Sequence, residues 1–258
     1  MMNRVVTVLA DPSAVASAAA DRLVAVAQQA AGEGRIASIA LAGGSTPTEM
    51  FDVLVRRTNT GEAIPWPALS FYWGDERAVP PDHPDSNYRV AREHLLDPVG
   101  IPEHRIFRMP AERPDQEQAA LAYENLLRRN LPASDHQPSM PVFDLVYLGM
   151  GADGHTASLF PGTSALAVRD RAVVMHPVDA VQMDRMTLTF PVLNAARQVV
   201  IAVTGPGKAD RVAEILGADA ISGGYPVQQV QPASGRLEWL LDQAAAAHLD
   251  STIRADRK

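Results

Sequence analysis

Ile36-Ala37-Ser38-Ile39-Ala40-Leu41-Ala42-Gly43-Gly44-Ser45-Thr46-Pro47 is the stretch on which the fold turns. Residues 36–42 are apolar apart from Ser38, as expected of a parallel strand covered on both faces. Two glycines, two hydroxyl residues and a proline then turn the chain into a helix over residues 48–57. A buried strand feeding directly into a helix is the repeating unit of an α/β protein. The alternation continues on either side of this stretch. Residues 5–10 are β-branched and apolar, Asp11 caps and Pro12 opens a helix to about Ala31, and residues 69–73, 143–148, 172–176 and 198–204 read as further strands. Helices are expected at residues 86–96, 114–130, 207–216 and 234–248. The pattern predicts a doubly wound, mostly parallel sheet with helices on both faces. With no linker, repeat or low-complexity tract, residues 1–258 read as a single domain.

Composition narrows the function. The chain has 258 residues, 47% hydrophobic and 21% charged, with a formal net charge of −7. It carries no block of basic residues, so its surface is unsuited to nucleic acid or an anionic membrane. The absence of cysteine removes disulfides, thiolate nucleophiles and zinc-thiolate sites. Of the 23 basic side chains only Lys208 and Lys258 are lysines, so chemistry that needs a lysine points to Lys208. The apolar run at residues 5–10 is too short for a signal peptide, and residues 13–31 carry Asp21, Arg22, Gln28 and Gln29, which a membrane span would avoid. A cytoplasmic protein is expected.

In an open parallel sheet, ligands bind beyond the carboxyl ends of the strands. Four segments near such ends carry chemistry. Gly43, Gly44, Ser45 and Thr46 combine close backbone approach with the free N–H groups of a helix start, an anion cradle. Asp75-Glu76-Arg77 follows an apolar strand directly, placing three charges at the mouth of a site where Arg77 can grip an oxygen and Asp75 can orient it. The next residues, Asp82, His83 and Asp85, have no further ligand spacing and read as a solvated loop; no metal site is expected. The third segment, Gly149-Met150-Gly151-Ala152-Asp153-Gly154-His155, opens as GxGxxG, the dinucleotide fingerprint. Pro161 follows too closely for a full crossover helix, and Asp170 precedes the next strand instead of ending it, so no dinucleotide is expected. Asp153 and His155, two apart in a Gly-flanked loop, instead suit an exposed imidazole with a carboxylate beside it, poised to take a proton from water. The fourth segment joins Arg185 and Thr187 with Gly205-Pro206-Gly207-Lys208, where an ammonium and a helix start would act on one anion.

Taken in order, Gly43-Gly44-Ser45-Thr46-Pro47, Trp73-Gly74-Asp75-Glu76-Arg77, Asp85-Ser86-Asn87, residues 149–161, Arg185 with Thr187, Gly207-Lys208 and residues 237–247 resemble the 6-phosphogluconolactonase family, within the superfamily that includes glucosamine-6-phosphate isomerases and deaminases. The resemblance implies a Rossmann-like fold of the type shared with those deaminases. It also implies hydrolysis of 6-phospho-D-glucono-1,5-lactone in the oxidative pentose phosphate pathway, without a cofactor and as a monomer. In that reading His155 activates water, Asp153 or Asp75 steers it, and Gly44, Ser45, Thr46, Lys208 and Arg185 hold the phosphate. Loop N–H groups near Gly44 or Gly154, or Arg77, stabilise the oxyanion, with Gly151 and Gly43 lining the site. The deaminase branch looks like DGHIAFNEP in the third segment, whereas this chain has Phe160 where that glutamate stands. Phenylalanine transfers no proton, which argues against sugar ring opening. A second alternative, a sugar-phosphate sensor, would need an appended DNA-binding domain, and the first strand here begins by about Val5.

Overall fold

The computed structural model describes residues 3–137, 139–217 and 223–250. Strand β1 (Asn3–Leu9) leads to helix α1 (Pro12–Gly32), capped by the Asp11 carboxylate, which accepts the Ala14 N–H at 2.8 Å. Small residues such as Ala16, Ala19, Ala20 and Ala27 dominate the buried face of α1, letting it lie close against the sheet. Every residue of β2 (Ala37–Leu41) is buried, and α2 (Ser45–Asn59) follows with Gly44 as its N-cap, starting earlier than the expected Thr48. Next come β3 (Leu69–Trp73), β4 (Asp75–Arg77), α3 (Asn87–Ala91) and α4 (Gln116–Asn130). The chain continues through β5 (Leu145–Leu148), β6 (Val173–Val178), β7 (Met183–Leu188), α5 (Phe190–Ala195), β8 (Gln198–Val203), α6 (Ala209–Leu216) and β9 (Arg236–Asp242).

Six strands form one sheet in the order β1-β9-β8-β5-β2-β3, and every neighbouring pair is parallel. The chain leaves β2 first toward β3 on one side and then returns to β5 on the other. The order therefore reverses between β2 and β5, which opens a crevice at their carboxyl ends. A second sheet of β4, β7 and β6 is antiparallel, and it brings Arg77 directly opposite Arg185.

Residues 234–248, expected as a helix, instead supply β9 and a run of turns. Leu, Glu and Ala favour helix locally, but the slot between β1 and β8 offers hydrogen bonds on both sides of Arg236–Asp242 and burial of Trp239, Leu240 and Leu241. Glu238, buried at 1% exposure in that central strand, is met by a two-pronged contact from Arg22 of α1 at 2.8 and 2.7 Å. Arg185 and Thr187, which fall in none of the expected strands, lie on β7, because the segment pairs with β4 and β6.

Candidate active site

A cleft of about 380 Å³ opens at the crevice between β2 and β5. Its walls come from the turn after β2 (Gly43, Gly44), from β4 (Asp75, Arg77), from the loop after β5 (Gly151, His155, Ser158, Phe160), from β7 (Arg185) and from the approach to α6 (Lys208). All four segments singled out in the sequence converge here. Among the expected site residues, Ser45, Thr46, Asp153 and Gly154 adjoin these lining residues in sequence but are not themselves among them. Thr46 Oγ1 stands 3.0 Å from Thr204 Oγ1, tying the turn after β2 to the turn after β8, and Ser45 is exposed in the first turn of α2.

The loop after β5 is folded around His155. Its Nδ1 lies 2.6 Å from Asp153 Oδ1, which also accepts the His155 backbone N–H at 3.2 Å. The imidazole stacks on Phe160 with ring centroids 3.9 Å apart and planes 22° off parallel. With a carboxylate on Nδ1, the neutral ring keeps its proton there and Nε2 carries the lone pair. Nε2 has no partner among the described residues. A Cβ on Gly151 would fall 2.1 Å from His155 Nδ1 and 2.6 Å from Asp153 Oδ1, so only glycine leaves room for this pair. Partial burial opposes ionisation of Asp153, but the N–H and the ring of His155 outweigh it and hold the carboxyl below its ordinary value.

Asp75 reaches a different partner. Its Oδ2 accepts the Ser158 hydroxyl at 2.7 Å, and its backbone carbonyl accepts the Asn87 amide at 2.9 Å. Glu76 corrects the expectation of three charges at the mouth: alternation along β4 turns it away from the cleft, where it is 3% exposed. Its carboxylate accepts the N–H groups of Arg77, Asn87 and Tyr88 at 2.8 Å and the Ser86 hydroxyl at 3.0 Å. Burial pushes its pKa up against those hydrogen bonds. Glu76 therefore secures the start of α3, and with it Asn87, on the wall of the cleft.

The cations are under-partnered. Arg77 donates one Nη to the Asp85 carbonyl at 2.6 Å, while the buried Nε atoms of both Arg77 and Arg185 have no partner. Burial lowers the Arg185 pKa, and the charge of Arg77 across the β4/β7 pair lowers it further. Burial likewise lowers the Lys208 pKa, opposed by the charge of Asp153. Like charges set opposite each other with orphaned N–H groups describe a site for an anion. The turn that presents Lys208 is held by Asp242, whose carboxylate oxygens accept the Gly205 N–H at 3.1 and 3.0 Å and one of which takes the Ala245 N–H at 2.7 Å. Reading residues 234–248 as a helix concealed that role, because Asp242 is the last residue of β9. Asn87 and Ser158 were visible only as motif members, since their partners lie in other segments.

The glucosamine-6-phosphate isomerase/6-phosphogluconolactonase family model matches residues 10–239, most of the chain. The chain belongs to that family. A curated relative named 6-phosphogluconolactonase, from Synechocystis sp., is 45% identical over 212 residues, covering 82% of this chain and 84% of its own. The crystal structure of the devB protein superposes with a TM-score of 0.87 at 34% identity, covering 96% of this chain and all of that one. The 6-phosphogluconolactonase from Trypanosoma brucei superposes with a TM-score of 0.83 at 32% identity, covering 97% of this chain and 100% of its own.

Proposed function

We infer that this protein hydrolyses 6-phospho-D-glucono-1,5-lactone to 6-phospho-D-gluconate, the lactonase step of the oxidative pentose phosphate pathway. The observation that carries the mechanism is the Asp153–His155 pair stacked on Phe160, with Nε2 unpartnered on the wall of a cleft rich in cations. The amino end of α2 at Gly44, Ser45 and Thr46 takes the 6-phosphate together with Lys208 and Arg185, which fixes the lactone in one register. His155 Nε2 accepts a proton from water as its oxygen bonds to C1. Asp153 holds the ring and stabilises the imidazolium that results. The charge that develops on the carbonyl oxygen is met by Arg77. Collapse of the tetrahedral intermediate breaks the bond from C1 to the ring oxygen, and the imidazolium returns its proton to that oxygen. General-base catalysis of this kind is worth about 10²- to 10⁴-fold.

Asp75 serves here as a tether for Ser158 and Asn87, and Asp153 is the carboxylate that orients His155. Phe160 supports hydrolysis over deamination, because a hydrocarbon ring under the imidazole supplies no acid for opening a sugar ring. That the enzyme works as a monomer in the cytoplasm belongs to the same proposal and rests on the family resemblance. The test is an assay with freshly generated 6-phosphogluconolactone, corrected for spontaneous hydrolysis, against glucosamine 6-phosphate. Turnover of the lactone alone is expected; turnover of the amino sugar alone would overturn the assignment.

A further inference from the structure

The loop carrying Asp153 and His155 is gripped on its outer side by groups that do not line the cleft. Arg211, in α6, donates from Nε to the Ala152 carbonyl at 2.9 Å. Its guanidinium lies over the Tyr225 ring, 4.1 Å from the centroid. Glu214, also in α6, pairs with Arg211 and accepts the Tyr225 hydroxyl. The Tyr225 ring packs against Gly154 so closely that a Cβ there would stand 2.8 Å from its Cδ1. The Val227 N–H donates to the Gly154 carbonyl at 3.1 Å. The residues on both sides of Asp153 are thus fixed from outside.

Inside the loop, two backbone bonds close the turn, Gly151 N–H to the His155 carbonyl at 2.9 Å and Gly154 N–H to the Gly151 carbonyl at 3.0 Å, joined by the Asp153–His155 contacts and by the Thr156 hydroxyl on the Gly149 carbonyl at 2.8 Å. None of these internal bonds reaches Ala152, whose carbonyl is held by Arg211, and a Gly-flanked turn samples other conformations where its backbone is not held. The position of Asp153 decides where His155 points, so whatever holds Ala152 and Gly154 sets the direction of Nε2.

We propose that Arg211 and Tyr225 are positioning residues for His155, clamping its loop so that Nε2 faces the water that attacks the lactone. The proposal rests on His155 being the base. It also makes α6 a shared mount, since Lys208 precedes its first turn and Arg211 lies within it. The phosphate contact and the base are then held at a fixed separation by one helix.

The test is steady-state kinetics on Arg211→Ala, Tyr225→Ala, Tyr225→Phe, His155→Ala and the double variant His155→Ala/Arg211→Ala. Loss of the clamp should lower kcat about ten- to a hundredfold with KM within about twofold, the cost of a displacement near 1 Å. Tyr225→Phe, which keeps the ring on Gly154, should recover most of what Tyr225→Ala loses. In the His155→Ala background, Arg211→Ala should cost nothing further, because the clamp acts only through that ring. Equal losses in both backgrounds, or an unchanged kcat in Arg211→Ala and Tyr225→Ala, would overturn the clamp while leaving the base in place. A wild-type rate in His155→Ala would remove the base and this proposal with it. If Arg211→Ala fails to fold, the same double-variant comparison is made with Tyr225→Ala.

Discussion

Gly151→Ala is the sharpest probe of the site, because it adds one carbon where the structure has no space. The new Cβ would stand 2.1 Å from His155 Nδ1, 2.2 Å from its Cε1 and 2.6 Å from Asp153 Oδ1. Ordinary contact begins near 3.4 Å, so the imidazole must retreat by about 1.3 Å or the Asp153 contact must open. Gly151 is not among the positive-φ glycines, so alanine meets no backbone penalty there and the effect is one of space alone. A displacement of this size at the reacting group is worth about 10²-fold in rate, or roughly 2.7 kcal/mol of barrier. The assay is kcat on freshly generated 6-phosphogluconolactone beside a thermal melt. We expect kcat to fall about a hundredfold with product affinity largely kept, since the phosphate contacts lie on other elements. A kcat within twofold of the parent would refute the geometry described for Asp153 and His155.

Lys208→Ala should raise KM for the phosphorylated lactone well beyond its effect on kcat; an effect on kcat alone would move Lys208 to the reaction centre. Because burial lowers the Lys208 pKa from the ordinary 10.5, its charge is complete below the depressed value and is lost as pH rises through it. Affinity for 6-phosphogluconate, measured by titration calorimetry, should therefore decline at a lower alkaline pH than in Lys208→Arg. Arg22→Met strips the main partner from buried Glu238, leaving Arg236 at 3.7 Å as its ion pair among the described residues, and should cost about 3 kcal/mol in urea unfolding, with Arg22→Met/Glu238→Leu recovering much of it. Glu76→Gln turns an amide toward donors that now meet a carboxylate, and should lower stability by about 2 kcal/mol in the same unfolding experiment.

The parallel core was legible because strands buried on both faces need nearly continuous apolar runs, as at residues 36–42, broken by Ser38 alone, and 199–203. The Asp153–His155 contact was legible because it spans two residues within one loop. What escaped depends on partners far away in the chain. β9 looks helical until the slot between β1 and β8 is known. β4 has only three residues, all charged, and is a strand solely because β7 pairs with it. That pairing also decides that Glu76 faces inward while Asp75 and Arg77 face the cleft. Asp242 and Arg211 act on loops that local periodicity gives no reason to connect with them.

In the proposed reaction His155 is the group that takes the proton from water. The direct measurement is kcat of His155→Ala on freshly generated 6-phosphogluconolactone, corrected for spontaneous hydrolysis, with the dissociation constant of 6-phosphogluconate measured on the same preparation. A fall in kcat of about 10² or more at an unchanged dissociation constant is the predicted result. Retention of the parent kcat at full product affinity would contradict it.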